Sequence, residues 1–202
     1  GWLVHDADGR LVGFGFLRHE GDGQVGAELF AADDPTASWL LDALVERADA
    51  MARAAGRSTA TLDFGVYRED DDRRALLTDR GFDVATVFHR LRLDHDATTP
   101  TEPPAVPSGA SVRRGPGDED FRRAAHAVKE TSFAEHFGHV DQPFERWVEQ
   151  VESSPVRGWE DLWLVEVDGE PAAMLHAHDA FVADEGCGYV SHLGVVSGHR
   201  GR

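Results

Sequence analysis

LGVVSGHRGR, residues 193–202, reads as an apolar strand, a turn at Ser197-Gly198, and then Arg200-Gly201-Arg202. A strand that runs through a glycine-bearing loop into a helix makes an anion site. Its backbone N–H groups converge on one point, and the positive end of the helix dipole lies behind them. Arg200 and Arg202 add charge, and the strand itself can offer edge amides to an extended ligand. The expectation is a diphosphate-binding loop that begins where these residues stop. A polypeptide ending at Arg202 would lack the gripping helix, so residues 1–202 are expected to be a partial chain, inactive alone. The start, GWLVHDADGR, lacks Met and does not have the build of a signal peptide.

Upstream of this loop, LWLVEVDGEPAAMLHAHDA (162–180) holds two apolar runs around Asp168-Gly169, a hairpin signal. GCGYVSHLGVV (186–196) is a further strand. The same hairpin opens the chain: WLVHDADGRLVGFGFL (2–17) and WLVEVDGEPAAMLHAH (163–178) share Trp-Leu-Val, an acidic-Gly turn and an apolar return. This reads as a tandem repeat of one fold. The proline-rich stretch DATTPTEPPAVPSG (96–109) reads as a linker. It separates the later part of copy one, residues 1–95, from the earlier part of copy two, residues 110–202.

In copy one, a third strand is expected over Val25–Ala31. A helix follows, capped by Asp34 and stopped by Gly56, with an apolar stripe of Ala37, Leu40, Leu41, Leu44, Ala48 and Met51. A strand at 58–66, a short helix ending at Gly81 and a closing strand over DVATVFHRLRLD (83–94) complete it. Copy two begins with a strand that feeds a helix with Phe121, Ala125 and Val128 on one face. A second helix carries Phe144 and a core Trp147. The fold class is therefore α/β (α+β): two mixed, mostly antiparallel sheets flanked by helices, both incomplete in this chain.

The chain carries 37 Asp+Glu against 20 Lys+Arg, a net charge of −17. Such a field repels nucleic acid and anionic lipid, so neither is expected as a partner, and it leans toward a cationic acceptor. No apolar run reaches transmembrane length. Cys187 is the single cysteine, which suits a reducing, cytoplasmic setting. Heavy use of Ala, Arg, Asp and Gly points to a GC-rich bacterial genome.

Three segments resemble the GCN5-related N-acetyltransferase superfamily. LGVVSGHRGR resembles its strand-to-helix signature, with Val195 and Arg200 at the family spacing. RAAGRSTATLDFGVYREDDDRRALLTDRGF (53–82) resembles the family's later half, closing on Arg80-Gly81-Phe82. ETSFAEHFGHVDQPFERW (130–147) is similar to the first-to-second helix region of the tandem, mycothiol synthase-like actinobacterial group. The resemblance implies an acetyl-CoA-dependent N-acetyltransferase acting on a small-molecule amine, with acetyl-CoA in a gap between splayed strands. Leu193, Gly194, Val195, Arg200, Gly201 and Arg202 would bind the cofactor. Copy one has Asp33-Asp34-Pro35 at the equivalent loop, where carboxylates would cap the amides and repel a diphosphate. It is expected to be a non-catalytic copy. The alternative from another class is a non-enzymatic acyl-CoA-binding or assembly module.

Acetyl transfer to an amine needs a proton acceptor, an oxyanion donor and close positioning. Tyr189 and His192 are the catalytic candidates. Tyr189 stands where mycothiol synthase-like relatives carry a carboxylate, which argues against mycothiol synthesis itself. Strict alternation places Tyr189 with Ser191 on one strand face, and Val190 with His192 on the other. Glu130, Glu135, His136, His176 and His178 are acceptor-facing candidates, with His139 beside them. His176, His178 and His192 suggest zinc by type, but no Cys, Asp or Glu completes a set at a recognisable spacing, so no metal is expected.

Overall fold

The computed structural model describes residues 1–21, 23–100 and 102–201. The chain divides into two compact units, Gly1–His89 and Arg90–Arg202. No helix among the described residues is long and apolar enough to cross a membrane.

In the first unit β1 (Trp2–His5), β2 (Leu11–Gly21) and β3 (Gln24–Ala31) run antiparallel, and β4 (Thr61–Phe64) lies parallel to β3. Between β3 and β4 runs α1 (Asp34–Ala54); α2 (Asp71–Asp79) follows. The cap of α1 is Asp33 rather than Asp34: its carboxylate accepts from the Thr36 N–H at 2.8 Å, and Asp34 and Pro35 open the first turn. The apolar stripe buries Ala37, Leu40, Leu41, Leu44, Ala48 and Ala52, with Met51 half-exposed. Helix α2 closes as a Schellman turn. The Gly81 N–H donates to the Thr78 carbonyl, and the Phe82 N–H to that of Leu77. Phe82 then meets Phe64 edge-on, ring centres 5.4 Å apart.

In the second unit β5 (Ala110–Arg114), β6 (Leu162–Val167), β7 (Glu170–His178) and β8 (Tyr189–Val195) form one antiparallel sheet in that order. Helices α3 (Glu119–Phe133) and α4 (Phe144–Glu152) lie between β5 and β6. Asp118 caps α3 through the Phe121 N–H at 2.9 Å. Phe121, Ala125 and Val128 of α3 and Trp147 and Val151 of α4 cover Leu162, Leu164 and Met174. The β6–β7 turn places both Asp168 and Gly169 at positive φ, 52° and 85°, the two-residue hairpin that acidic-Gly predicts. A short helix, α5 (Val182–Glu185), lies in the β7–β8 connection, where no regular element is expected.

One further expectation changes. Residues 83–94 take no strand: a ladder needs a neighbouring strand, and none pairs with them among the described residues. Val84, Phe88, Leu91 and Leu93 stay exposed. The unit boundary falls at His89/Arg90, ahead of the proline-rich stretch. Arg90 pairs with Glu185 at 2.9 Å and lies over the rings of Phe181 and Tyr189.

Leu40 and Leu164 are each fully buried in their own cores. Truncation of either to Ala is expected to cost about 2–5 kcal/mol, read as a lowered urea midpoint. Leu193→Ala, on the exposed side of β8, is expected to stay within about 0.5 kcal/mol of the parent.

Candidate active site

The site is assembled where α3 ends over the middle of β8. Close approach is possible because position 194 is glycine: a Cβ there would lie 2.1 Å from Ser132 Oγ and 3.0 Å from Ser132 Cβ. The last turns of α3 therefore set Lys129, Glu130, Ser132 and Phe133 over the strand. The Phe133 ring meets the His192 ring edge-on at 6.0 Å.

Strand β8 does not alternate strictly. Opposite β7, His176 pairs with His192, but Ala177 pairs with Val190 and His178 with Tyr189. Ser191 is the extra residue of a β-bulge. Directly opposed residues share a face, so Tyr189 and His192 lie on the same face as His178 and His176. This corrects the expectation that Tyr189 and His192 lie on opposite faces. The Ser191 hydroxyl donates to the His176 carbonyl at 3.0 Å and pins the bulge. In the first unit the pairing of β2 and β3 keeps register from Gly13–Ala31 through Phe16–Glu28 to His19–Val25, and shifts only between His19 and Gly21, on β2.

That hydroxyl fixes a tautomer. Its one proton goes to the His176 carbonyl, so in the 3.2 Å contact with His192 Nδ1 it accepts. Nδ1 therefore carries the His192 proton and Nε2 keeps a lone pair. Burial, then the charges of Lys129 and Arg157, hold the His192 pKa down to about 4, so the ring is neutral near pH 7. Burial first, and then Arg157, also lower His176 and His178. The His176 Nε2–H donates to the Gly158 carbonyl at 3.0 Å, and His178 Nδ1 accepts from the Ala180 N–H at 3.3 Å. The rings of His178, Phe181 and Tyr189 pack together at 5.1–5.8 Å.

The α3–α4 loop is fastened from within. Glu130 accepts from Lys129 Nζ at 2.6 Å and from the Gln142 N–H at 3.0 Å, and lies 3.5 Å from His139 Nε2. His126 Nε2 donates to the Gln142 carbonyl at 2.8 Å. Glu130 is thereby a brace for the loop. Glu130, His139 and Asp141 bring ligand atoms within 4.8 Å of one another, but the Lys129 ammonium already holds Glu130. Glu135 is exposed, 3.8 Å from Arg200. The His136 Nδ1–H donates to the Phe137 carbonyl at 3.0 Å. Neither joins the cluster of His176, His178, Tyr189 and His192.

After Leu193, Gly194 and Val195, the chain makes a single 3-10 turn, Ser197–His199. The Arg200 guanidinium bonds the Val195 carbonyl at 3.0 Å and the Ser132 carbonyl at 3.1 Å, tying the loop to the end of α3. A Cβ at Gly198 or Gly201 would meet no other atom of the described residues within 4 Å. Arg202 lies outside the described residues. The sequence reading missed Lys129 and Arg157. Lone cations carry no periodic signal, and only the fold brings them to the histidines.

The first unit fills the matching places itself. Beyond Phe64 the strands β3 and β4 no longer pair, and there the Arg73 guanidinium of α2 donates to the Leu29 carbonyl of β3. The Asp33 carboxylate occupies the start of α1, and its bond to the Thr36 N–H keeps it below the usual carboxylate range.

No family model and no curated protein matches the chain. Its fold is that of solved GCN5-related N-acetyltransferases. It superposes on one from Sphaerobacter thermophilus with a TM-score of 0.69 at 18% identity, covering 99% of this chain and 62% of that one. A tandem member from the clavulanic acid biosynthesis pathway gives 0.59 at 19% identity, over 99% of this chain and 64% of that one. The glucosamine N-acetyltransferase region of a fungal multi-domain GH3 beta-N-acetylglucosaminidase gives 0.57 at 15% identity, over 98% of this chain and 26% of that one. The chain thus spans less than two thirds of each of these proteins.

A histidine whose folded pKa lies below its unfolded value stabilises the fold above about pH 6.5. That stabilisation is lost as pH falls through about 4. Unfolding free energy should therefore drop from pH 7 to pH 4. In His192→Gln the drop should be smaller, by an amount of order 2 kcal/mol, measured by urea titration at several pH values.

Proposed function

We propose that the chain belongs to an acetyl-CoA-dependent N-acetyltransferase with one working site, in the second unit, acting on a small-molecule amine. The observation that carries the reading is the bulge at Ser191. It turns Tyr189 and His192 to one face beneath α3 and leaves a neutral imidazole with an open Nε2. The first unit shares the hairpin, but its register shift lies in β2, between His19 and Gly21, and leaves β3 without an inserted residue. The fold likeness to solved acetyltransferases supports the reaction class.

Acetyl-CoA supplies a thioester whose carbonyl carbon accepts the amine nitrogen; the C–N bond forms, the C–S bond breaks, and the amine proton ends on sulfur. The residues of this chain manage that proton. His192 is too weakly basic to strip a free alkylammonium ion. Its Nε2 can take the proton as the nitrogen gives up electron density to the new bond, when the N–H becomes acidic. Tyr189, on the same face, would give its phenolic proton to the leaving sulfur and regain one from protonated His192 through solvent, so that the net transfer is from nitrogen to sulfur. The edge of β8 from Leu193 to Val195 and the loop to Gly201 would hold the pantetheine and diphosphate. A cytoplasmic bacterial enzyme fits the composition.

The first unit serves as a scaffold. Asp33 satisfies the helix start where a diphosphate would lie, and Arg73 takes the carbonyl that a splayed strand would leave open.

Calorimetric titration of acetyl-CoA into the full-length protein tests both parts. One site per chain is expected; two would refute the scaffold role of the first unit, and none would leave a structural module. His192→Gln is expected to lower kcat by about 10²–10⁴-fold while acetyl-CoA affinity stays within about twofold. A kcat unchanged in that variant would remove His192 from the chemistry.

A further inference from the structure

The face that carries Tyr189 and His192 is bordered by charges, and most of them are paired. Lys129 is held by Glu130 at 2.6 Å and Arg90 by Glu185 at 2.9 Å. Arg157 differs. It sits in the loop between α4 and β6, half-buried, one residue before Gly158, whose carbonyl holds the His176 ring. Its backbone N–H is bonded to Ser154 Oγ at 3.0 Å. Its guanidinium has no hydrogen bond or ion pair among the described residues.

A half-buried guanidinium presents a planar fork of donors shaped for an oxyanion. Arg157 is also the charge common to the three imidazoles: each of His176, His178 and His192 senses it, whereas Asp179, exposed and adjacent in sequence, bears on His178 alone. With the histidines neutral, the face is an aromatic and imidazole surface with one open positive group.

Building on the acetyltransferase reading, we infer that the acceptor is an amine that also carries an oxyanion group, carboxylate or phosphate, and that Arg157 binds that group while the amine lies toward His192. The acidic surface favours approach of the ammonium end, and Arg157 receives the other end. A simple polyamine has nothing to offer Arg157 and leaves its charge unpaired.

The test is acetyl transfer by the full-length protein to matched acceptors: an amino acid against its carboxamide, and an amino sugar against its phosphate ester. The two pairs separate carboxylate from phosphate. In the parent, kcat/KM should favour the anionic member of at least one pair by about tenfold to a hundredfold. In Arg157→Gln the ratio should collapse toward one; in Arg157→Lys part of it should return. Transfer without preference in the parent, or a preference that survives Arg157→Gln, overturns the inference and leaves the acetyltransferase reading standing. If no amine is acetylated, that reading fails, and a second measurement judges the anion site by itself. Inorganic phosphate is titrated while histidine side-chain resonances are followed by NMR. Saturable shifts of His176 and His178 in the parent, absent in Arg157→Gln, support an oxyanion site; no shift, or equal shifts in both proteins, refutes it.

Discussion

The second unit depends on how closely α3 can lie on β8. A single hydrogen side chain at position 194 sets that distance, since any Cβ would enter the space of Ser132. From this contact the rest follows. Phe133 reaches the His192 ring, Lys129 comes near enough to depress its basicity, and the Ser132 carbonyl becomes available to Arg200. The end of a helix has carbonyls without intrahelical partners. Here one of them anchors the loop that follows β8, so a packing contact in the core also shapes the entrance to the site.

The same economy governs charge. A chain with 37 acidic residues builds its reactive face from neutral imidazoles, aromatic rings and cations such as Lys129 and Arg90 that a neighbour neutralises. The acidic surplus stays on the solvated surface, where salt screens it. Inside the site, burial decides protonation: it is the leading cause for each of the three lowered histidines. Net charge is therefore a poor guide to the charge of a ligand, and the approach path and the binding contact can favour opposite ends of one molecule.

Much of the fold was legible because it is written in local chemistry. The acidic-Gly turns, the stripe of Leu40, Leu41 and Leu44, the Phe121–Val128 face and the paired hairpins all emerge where they are expected. The candidate site was half legible. His176, His178, Tyr189 and His192 are brought together, but their facing was misread, because period-two reasoning has no means of seeing an inserted residue. Glu130 was recognised as important for its charge, yet its oxygens are engaged by Lys129 and the Gln142 N–H across the loop. Residues 83–94 show the converse limit. Alternation makes a sequence capable of being a strand, and only a neighbour with free backbone groups makes it one.

The bulge at Ser191 has a consequence for how the two units can diverge. Side chains on a strand obey parity, and one residue more or less inverts every facing beyond it. Substitution alone, however extensive, leaves parity untouched. In the first unit β3 runs unbroken through Glu28, Ala27 and Gly26 and the register shift falls between His19 and Gly21 of β2, so the two units differ in which strand of the pair carries the extra residue. Loss of one codon at position 191 would abolish the paired facing of Tyr189 and His192 in the second unit at a stroke.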